Sequence, residues 1–163
     1  MDLDEQLQLL AEEAPKYGLS SQVMEKAVNP VLKLFAQRLQ HLEYYILQNV
    51  EEKWVLKVVS NRAKPEEQKH AIYAFPTFND AGNFQGRKDP QIIALPTPVT
   101  HILFQIFAVQ LADSIIFLET PGNFNLGTEI RRPDLHNAIQ LQLQQLGNIS
   151  PNPSPGNMPP NIA

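Results

Sequence analysis

Residues 91–118, with the sequence QIIALPTPVTHILFQIFAVQLADSIIFL, decide the fold of this chain. Gln91–Leu95 is a candidate strand, and Ser114–Leu118 is a short apolar run typical of a buried central strand. Between them, the segment from Val99 to about Gln110 is apolar nearly all round, as in an interior helix. Thr97-Pro98 supplies a cap and a first helical proline for it. A strand, a buried helix and a strand form a crossover unit, which predicts parallel pairing and a right-handed connection.

Two more strands are predicted upstream of this unit. Lys53–Asn61 (KWVLKVVSN) and His70–Phe75 (HAIYAF) are rich in β-branched and aromatic residues, and the polar segment 62–69 between them suits a hairpin loop. Residues 76–90, PTFNDAGNFQGRKDP, contain two glycines and two prolines and predict a long loop. A second loop, with Gly122 and Gly127, follows the last strand.

Helices are predicted at both ends of the domain. Residues 3–13 carry leucines on one helical face, and a second helix begins near Ser20 and Ser21. Its apolar stripe predicts a helix from Val31 to Gln48 that packs on the core of the domain, in preference to a coiled-coil dimer. The stripe consists of Leu32, Phe35, Leu39, Leu42 and Ile46. Pro30 predicts a kink or break near residues 28–30. The last helix spans residues 133–146.

These elements predict an α/β domain over residues 1–147, in the order ααβββαβα, with a small mixed sheet of about four strands and flanking helices. The chain has 163 residues, enough for one domain with a core of its own. Residues 148–163 are rich in proline and asparagine and carry no charge, so we expect a disordered tail. The tail is either a solubilising end or a proline-rich ligand for a groove on a partner or on its own domain.

Composition excludes several functions. The absence of cysteine excludes disulfides, thiolate metal sites and cysteine nucleophiles. The four histidines of the chain fall in different predicted elements and lack the spacing of paired metal ligands, so no metal and no cofactor is predicted. The net charge of −4, without a basic stripe, argues against nucleic acid as a partner. No apolar run is long enough to span a membrane and the N-terminus does not resemble a signal peptide, which indicates a cytoplasmic protein and no membrane partner.

No catalytic motif is visible. Ser114 lacks the G-x-S-x-G elbow of a serine nucleophile, and the loop with Gly122 and Gly127 lacks the lysine of a phosphate loop. That loop is either a plain turn or a weak anion site with Arg131 and Arg132. His101, on the apolar helix, is expected to be a hydrogen-bonded core histidine in preference to a ligand.

The element order αβββαβ matches the core of restriction-endonuclease-like nucleases, which need metal-binding carboxylates and a lysine on adjacent strands. Here Asp80 and Asp89 fall in the predicted loop, and the strand QIIALP contains neither an acid nor a lysine. Asp113 and Glu119 flank a later strand with no lysine between them. The chain therefore fits this topology without its catalytic residues.

Aromatic residues in the predicted loops are the candidate partner-binding residues. Phe75, Phe78 and Phe84 surround the first loop and Phe124 lies in the second, where aromatic side chains are easily exposed to a partner. The alternative is that these rings cover the core from outside. Leu34 and Tyr45 form a second apolar side of the predicted long helix, which would carry a dimer or partner contact.

The stretch IIALPTPVTHILFQIFAVQLADSIIFLETPGN, together with GTEIRRPDLHNAIQLQLQQL, resembles small cyanobacterial proteins and, among them, the CcmS family of carboxysome assembly chaperones. The resemblance covers residues 1–147 and has no diagnostic motif. It implies a cytosolic chaperone that binds the C-terminal extension of a carboxysome shell protein.

The sequence thus favours a non-enzymatic adaptor or assembly chaperone that binds a segment of another protein, along the edge of the sheet or in a groove beside the long helix. Two alternatives stay open. One is a catalytically degenerate restriction-endonuclease-like domain, and the other is a small-molecule sensor with a pocket beside the apolar helix.

Overall fold

The N-terminal third is helical. The computed structural model describes residues 1–60, 63–64, 66–86 and 89–149. Helix α1 (Leu3–Glu13) begins with a capping box, in which the Asp2 side chain accepts from the Glu5 amide and the Glu5 side chain accepts from the Asp2 amide. A 3₁₀ turn (Ala14–Tyr17) ends this segment at Gly18, whose φ of 80° suits glycine.

The second helical segment contains a wide turn just before Pro30. Helix α2 (Ser21–Val23) continues into a π-helical turn (Met24–Val28) and then into α3 (Asn29–Ala36). Pro30 is the second residue of α3 and directly follows this wide turn, so it removes one amide donor from a continuous helical segment. The irregularity predicted near residues 28–30 is therefore a change of helix type, and the backbone at Val28 and Asn29 stays helical.

The predicted helix Val31–Gln48 is wrong beyond Ala36. Strand β1 (Glu43–Asn49) occupies its second half and lies between two other strands. A strand covered on both faces is apolar on both, so Tyr44, Ile46 and their neighbours also fitted a helical stripe. Leu42, which the helix would bury, is 49% exposed.

In the described part of the chain, six strands form one sheet. After β1 come β2 (Lys57–Ser60), β3 (Gln68–Phe75), β4 (Ile92–Pro98), β5 (Ser114–Leu118) and β6 (Gly127–Arg131). The spatial order is β4-β1-β3-β5-β6, and β2 pairs with the first half of β3. Only β3 and β5 pair in parallel; the other pairings are antiparallel.

The α/β class, the mixed sheet and the flanking helices are confirmed, with six strands in place of about four. The hairpin of β2 and β3 is also confirmed, but β2 is shorter than the predicted strand, and Trp54 forms an isolated bridge to Gln48. Two predicted loops contain regular structure. Helix α4 (Phe78–Gln85) lies in the first, and β6 lies in the second, where pairing with β5 imposes extended structure on a polar segment.

The crossover prediction is half right. Helix α5 (Val99–Ala108) connects β4 to β5, and the chain of pairings makes these two strands run in the same direction. They do not pair, because β1 and β3 lie between them. The predicted Thr97 cap is wrong, since its hydroxyl donates to the Leu95 carbonyl. The buried Gln6 side chain accepts instead from the Thr100 amide in the first turn of α5.

Helix α6 (Arg132–Ile149) confirms the predicted last helix and runs past the predicted domain end at residue 147. Leu135 and Ile139 are buried, while Leu143 packs partly buried against the core. Residues 150–163 of the predicted disordered tail lie outside the described residues. Within the described chain, none of the helices has the length and apolar character needed to cross a bilayer.

The two faces of the sheet are covered differently. One face carries Tyr44, Ile46, Ile72 and Ile115 and packs against the helical layer of α1, α3, α5 and α6. The opposite face carries a smaller apolar cluster that includes Leu47, and α4 packs on it against β1, β3 and β4. The candidate site lies at the β4 edge of the sheet, beside this second face.

Candidate partner-binding groove

An apolar groove of about 930 Å³ runs between α4 and β4. The floor includes Leu47, Ile92 and Ala94, and the α4 wall begins with Phe78. The other lining residues are Asn79, Gly82, Asn83, Gln85, Gly86, Asp89, Pro90, Ile93 and Leu95. Asp89 is the one charged side chain in this described lining, and the apolar floor suits an apolar occupant.

Three large apolar side chains around the groove are exposed to solvent. Phe78 is 61% exposed, Ile93 50% and Leu95 38%. Ile93 and Leu95 lie opposite Gln48 and Ile46 of β1, while Ile92 and Ala94 lie opposite Asn49 and Leu47. Because side chains alternate across a strand, the groove wraps around the edge of the sheet and presents apolar surface on both faces. Continuous exposed apolar surface of this kind is typical of interaction sites.

Strand β4 is the edge of the described sheet, and one main-chain hydrogen bond fixes which of its residues bond to β1. The Val99 amide donates to the Leu42 carbonyl, one step beyond the paired residues Pro98 and Glu43. Antiparallel strands alternate between bonded and non-bonded pairs. Residues 93, 95, 97 and 99 therefore bond to β1, whereas residues 92, 94, 96 and 98 face outward.

The outward edge offers few donors. Positions 96 and 98 are prolines, which have no amide hydrogen and occur on edges for that reason. The Ile92 amide already donates to the Asp89 carbonyl at 3.0 Å. Ala94 is thus the one β4 residue with both an outward N–H and an outward C=O. An added strand would bond at Ala94 and would depend mainly on side-chain contacts elsewhere.

The predicted binding residues fall in four different places. Phe78 lines the groove, as a partner-binding residue would. Phe75 is fully buried, and the ring centroid of Phe84 lies 5.0 Å from that of Phe75, so both rings belong to the core under α4. Phe124, 37% exposed, stands edge-on to Phe84 at 5.7 Å. The alternative interpretation, rings that cover the core, therefore describes Phe75 and Phe84.

Leu34 and Tyr45 do not share a helix face. Leu34 lies on α3 and is 61% exposed, while Tyr45 lies on β1. The ring centroids of Tyr45 and Phe78 lie 5.9 Å apart, so Tyr45 contacts a residue of the groove lining. Leu34 does not line the groove. Ile93 and Leu95 were missed as site residues because an edge strand cannot be told from a central one locally. The P-x-P spacing of residues 96 and 98 was the available signal.

A buried polar cluster lies at the end of β5. The Tyr44 hydroxyl donates to the Glu119 carboxylate, which also accepts from the Gln40 amide at 3.1 Å. The His41 ring hydrogen-bonds the Glu119 carbonyl at 2.9 Å. Burial, followed by the bond to Glu119, raises the pKa of Tyr44 far above its usual value, so its hydroxyl stays a donor. This cluster ties the segment before β1 to the sheet.

The acids considered for nuclease chemistry make structural hydrogen bonds. Asp80 lies in α4 and accepts from the Gly122 amide, Asp113 accepts from the His70 amide, and Glu119 belongs to the cluster above. Among the described residues, histidine and acidic side chains nowhere gather in groups of three that could hold a metal ion.

Two donors of the suggested anion site, the Gly122 amide and the Arg132 side chain, are also engaged. The Gly122 amide donates to Asp80 at 2.9 Å. The Arg132 side chain donates to the carbonyls of Ile106 and Phe107 at the end of α5, where a cation is favourable. His101 is partly buried, and its Nδ1 has no hydrogen-bond partner among the described residues, contrary to the expected hydrogen-bonded histidine.

No protein-family model matches this chain, and no curated protein was found with significant sequence similarity to it.

Proposed function

We propose that this chain is a non-enzymatic adaptor or assembly chaperone that binds an extended, uncharged, apolar segment of a partner protein in the groove between α4 and β4. The observation that carries the proposal is the exposure of Phe78, Ile93 and Leu95 around one groove. Fully burying such a side chain from complete exposure contributes about 1.5–3 kcal/mol, and these three can each contribute the share that corresponds to their exposed fraction, before the costs of association.

The occupant's chemistry follows from the lining. A negatively charged segment would lose its hydration and meet only the like charge of Asp89, and a positively charged segment would find Asp89 as its single countercharge along the described lining. An extended backbone would exchange two hydrogen bonds with Ala94, whereas Pro96 and Pro98 donate none. Partner side chains would supply most of the affinity.

Peptide display on the purified chain tests this proposal. We expect selected peptides to be apolar and uncharged, and to shift the amide resonances of Ile93 and Ala94 in NMR spectra. Ile93→Lys is expected to weaken their binding about 10-fold or more, from the loss of at least 1.4 kcal/mol. Val58→Lys is the matched control, since Val58 is also an exposed strand residue, 56% exposed on β2, away from the groove. Peptides that bind Ile93→Lys as tightly as the unmodified chain would refute the proposal.

A specific partner follows from the resemblance to the CcmS family. On this proposal the segment is the C-terminal extension of a carboxysome shell protein, and the chain acts in the cytoplasm. A synthetic peptide of that extension should compete with the display-selected peptides. If it does not compete while the selected peptides still bind, the groove proposal stands and this partner is rejected.

A small-molecule sensor is the second candidate function. The groove volume of about 930 Å³ lies within the range of about 300–1,000 Å³ typical of small-molecule sites. Thermal shifts across a panel of apolar metabolites separate the two functions, because a ligand that binds the native state raises its stability. A shift that Ile93→Lys abolishes would favour the sensor.

A further inference from the structure

We infer that, without a partner, two copies of this chain pair through their β4 edges in an antiparallel, two-fold arrangement centred on Ala94. The inference uses the same edge as the proposed function but requires no partner. A second copy and a partner segment would exclude each other at Ala94.

The hydrogen-bonding pattern selects the centre. In a two-fold antiparallel pair whose axis passes through a bonded pair, the central residue meets its own copy and must both donate and accept. Ala94 satisfies both requirements. Ile92 does not, because its amide is bonded to the Asp89 carbonyl, and Pro96 and Pro98 have no amide hydrogen. Registers centred on Ile93 or Leu95 would use the Ala94 amide but leave the Ala94 carbonyl without a donor, so the register centred on Ala94 is the one that bonds both groups.

That register also brings the exposed apolar side chains together. With Ala94 opposite Ala94 of the second copy, Ile93 lies opposite Leu95 in both halves of the pair. Both side chains are partly exposed in the single chain, and cross-strand apolar pairs stabilise a sheet. The contact therefore covers surface that the single chain leaves to water.

Charge does not oppose a second copy as the occupant. Strand β4, IIALPTP, contains no charged residue, so pairing it with itself sets no like charges opposite each other. Edge strands of natural proteins are commonly protected by charged residues and prolines. Here the prolines protect only the second half of the strand, and in the apolar first half the main-chain groups of Ala94 remain available.

Disulfide trapping tests the register, since the chain has no cysteine of its own. In the proposed dimer, Cα atoms of the two Ala94 residues lie about 5.5 Å apart, within the range for a disulfide. Ala94→Cys is expected to form a covalent dimer under mild oxidation at least about 10-fold faster than Leu141→Cys. Leu141, 57% exposed on α6, is the control for random collision.

Two further variants test the two-fold register. Ile93→Cys mixed with Leu95→Cys should cross-link faster than either alone, because these residues face each other while like positions lie about 7–8 Å apart. Equal rates for Ala94→Cys and Leu141→Cys would overturn the inference, as would self-linking of either single variant at the rate of the mixture.

Sedimentation of the unmodified chain gives an independent measurement. The average mass should rise toward twice the monomer mass with concentration, and Ile93→Lys should keep it monomeric. A chain that stays monomeric but binds the display-selected peptides would refute the dimer and leave the proposed function intact. A chain that dimerises but selects no peptides would refute the proposed function and leave the dimer intact.

Discussion

At the scale of single residues, Gly127 is required by close packing. It is the first residue of β6 and lies opposite Leu118 of β5. A Cβ atom at this position would lie 2.9 Å from Cγ2 of Ile116 and 3.0 Å from the carbonyl oxygen of Phe117. The second neighbour is main chain within a paired strand, so it cannot move without disturbing the β5–β6 pairing.

Gly127→Ala is expected to lower the free energy of unfolding by about 1–3 kcal/mol, the usual cost of overpacking. Gly147→Ala is the matched control, because a Cβ there meets nothing within 4 Å and Gly147 lies in α6. Alanine is the better helix former, so the control should be neutral or gain up to about 1 kcal/mol. Urea denaturation measures both, and equal changes would contradict the packing argument.

The phenylalanines show how far residue type predicts a role. Phe75, Phe78 and Phe84 lie within one short stretch of sequence and share the same chemistry. Phe75 ends β3 on the α4 face, and α4 turns Phe84 toward it while Phe78 points outward. Sequence composition therefore located the aromatic surface and could not tell which ring was exposed, because that depends on the helix phase of α4.

At the scale of elements, α4 is held in position by one buried carboxylate. The Thr77 hydroxyl accepts from the Asp80 amide as a helix cap and donates to Oδ2 of Asp80. Oδ1 of Asp80 accepts from the Gly122 amide, in the loop between β5 and β6. Asp80 is only 5% exposed, so these bonds have little competition from water. They fix α4 beside the groove.

Asp80→Ala is expected to cost about 2–3 kcal/mol of unfolding free energy, because it removes hydrogen bonds to a charged group and leaves the Gly122 amide without its acceptor. Asn83→Ala, at an exposed position of the same helix, should change stability by less than about 0.5 kcal/mol. Chemical denaturation of the two variants measures both changes in unfolding free energy. Similar losses in both would show that Asp80 contributes no more than an exposed α4 residue.

At the scale of the whole molecule, the helical layer partly buries a titratable group. His101 lies on α5, and its Nε2 is 3.9 Å from Oε1 of Glu13 at the end of α1. Burial lowers the pKa of His101 from its ordinary value near 6.5, and the charge of Glu13 opposes that shift only in part. The folded chain therefore binds a proton at this site less readily than the unfolded chain.

This difference predicts a loss of stability in acid. Below about pH 6.5 the unfolded chain takes up a proton at His101 that the folded chain resists, so protonation favours unfolding. Above that pH both states are neutral and the effect vanishes. We expect the melting temperature to fall more steeply between pH 7 and pH 5 in the unmodified chain than in His101→Gln.

His70→Gln is the control for this prediction, because His70 is exposed on β3. It should keep the pH dependence of the unmodified chain. The same slope in His101→Gln and in the unmodified chain would exclude His101 as the source.

Local sequence patterns were sufficient to predict the elements whose apolar spacing is set by one kind of surrounding, either burial on all sides or burial on one face. The apolar runs His70–Phe75 and Ser114–Leu118, the buried helix α5 and the amphipathic α6 follow from their own residues, and the α/β class follows from their order. Packing decided the rest. The segment 43–49 is a strand because two neighbours bond to both of its edges, although its apolar spacing also suits a helix. Likewise β4 is an edge strand only because the chain places β1 beside it and nothing described beyond it, and a pairing between distant segments leaves no local mark in the sequence.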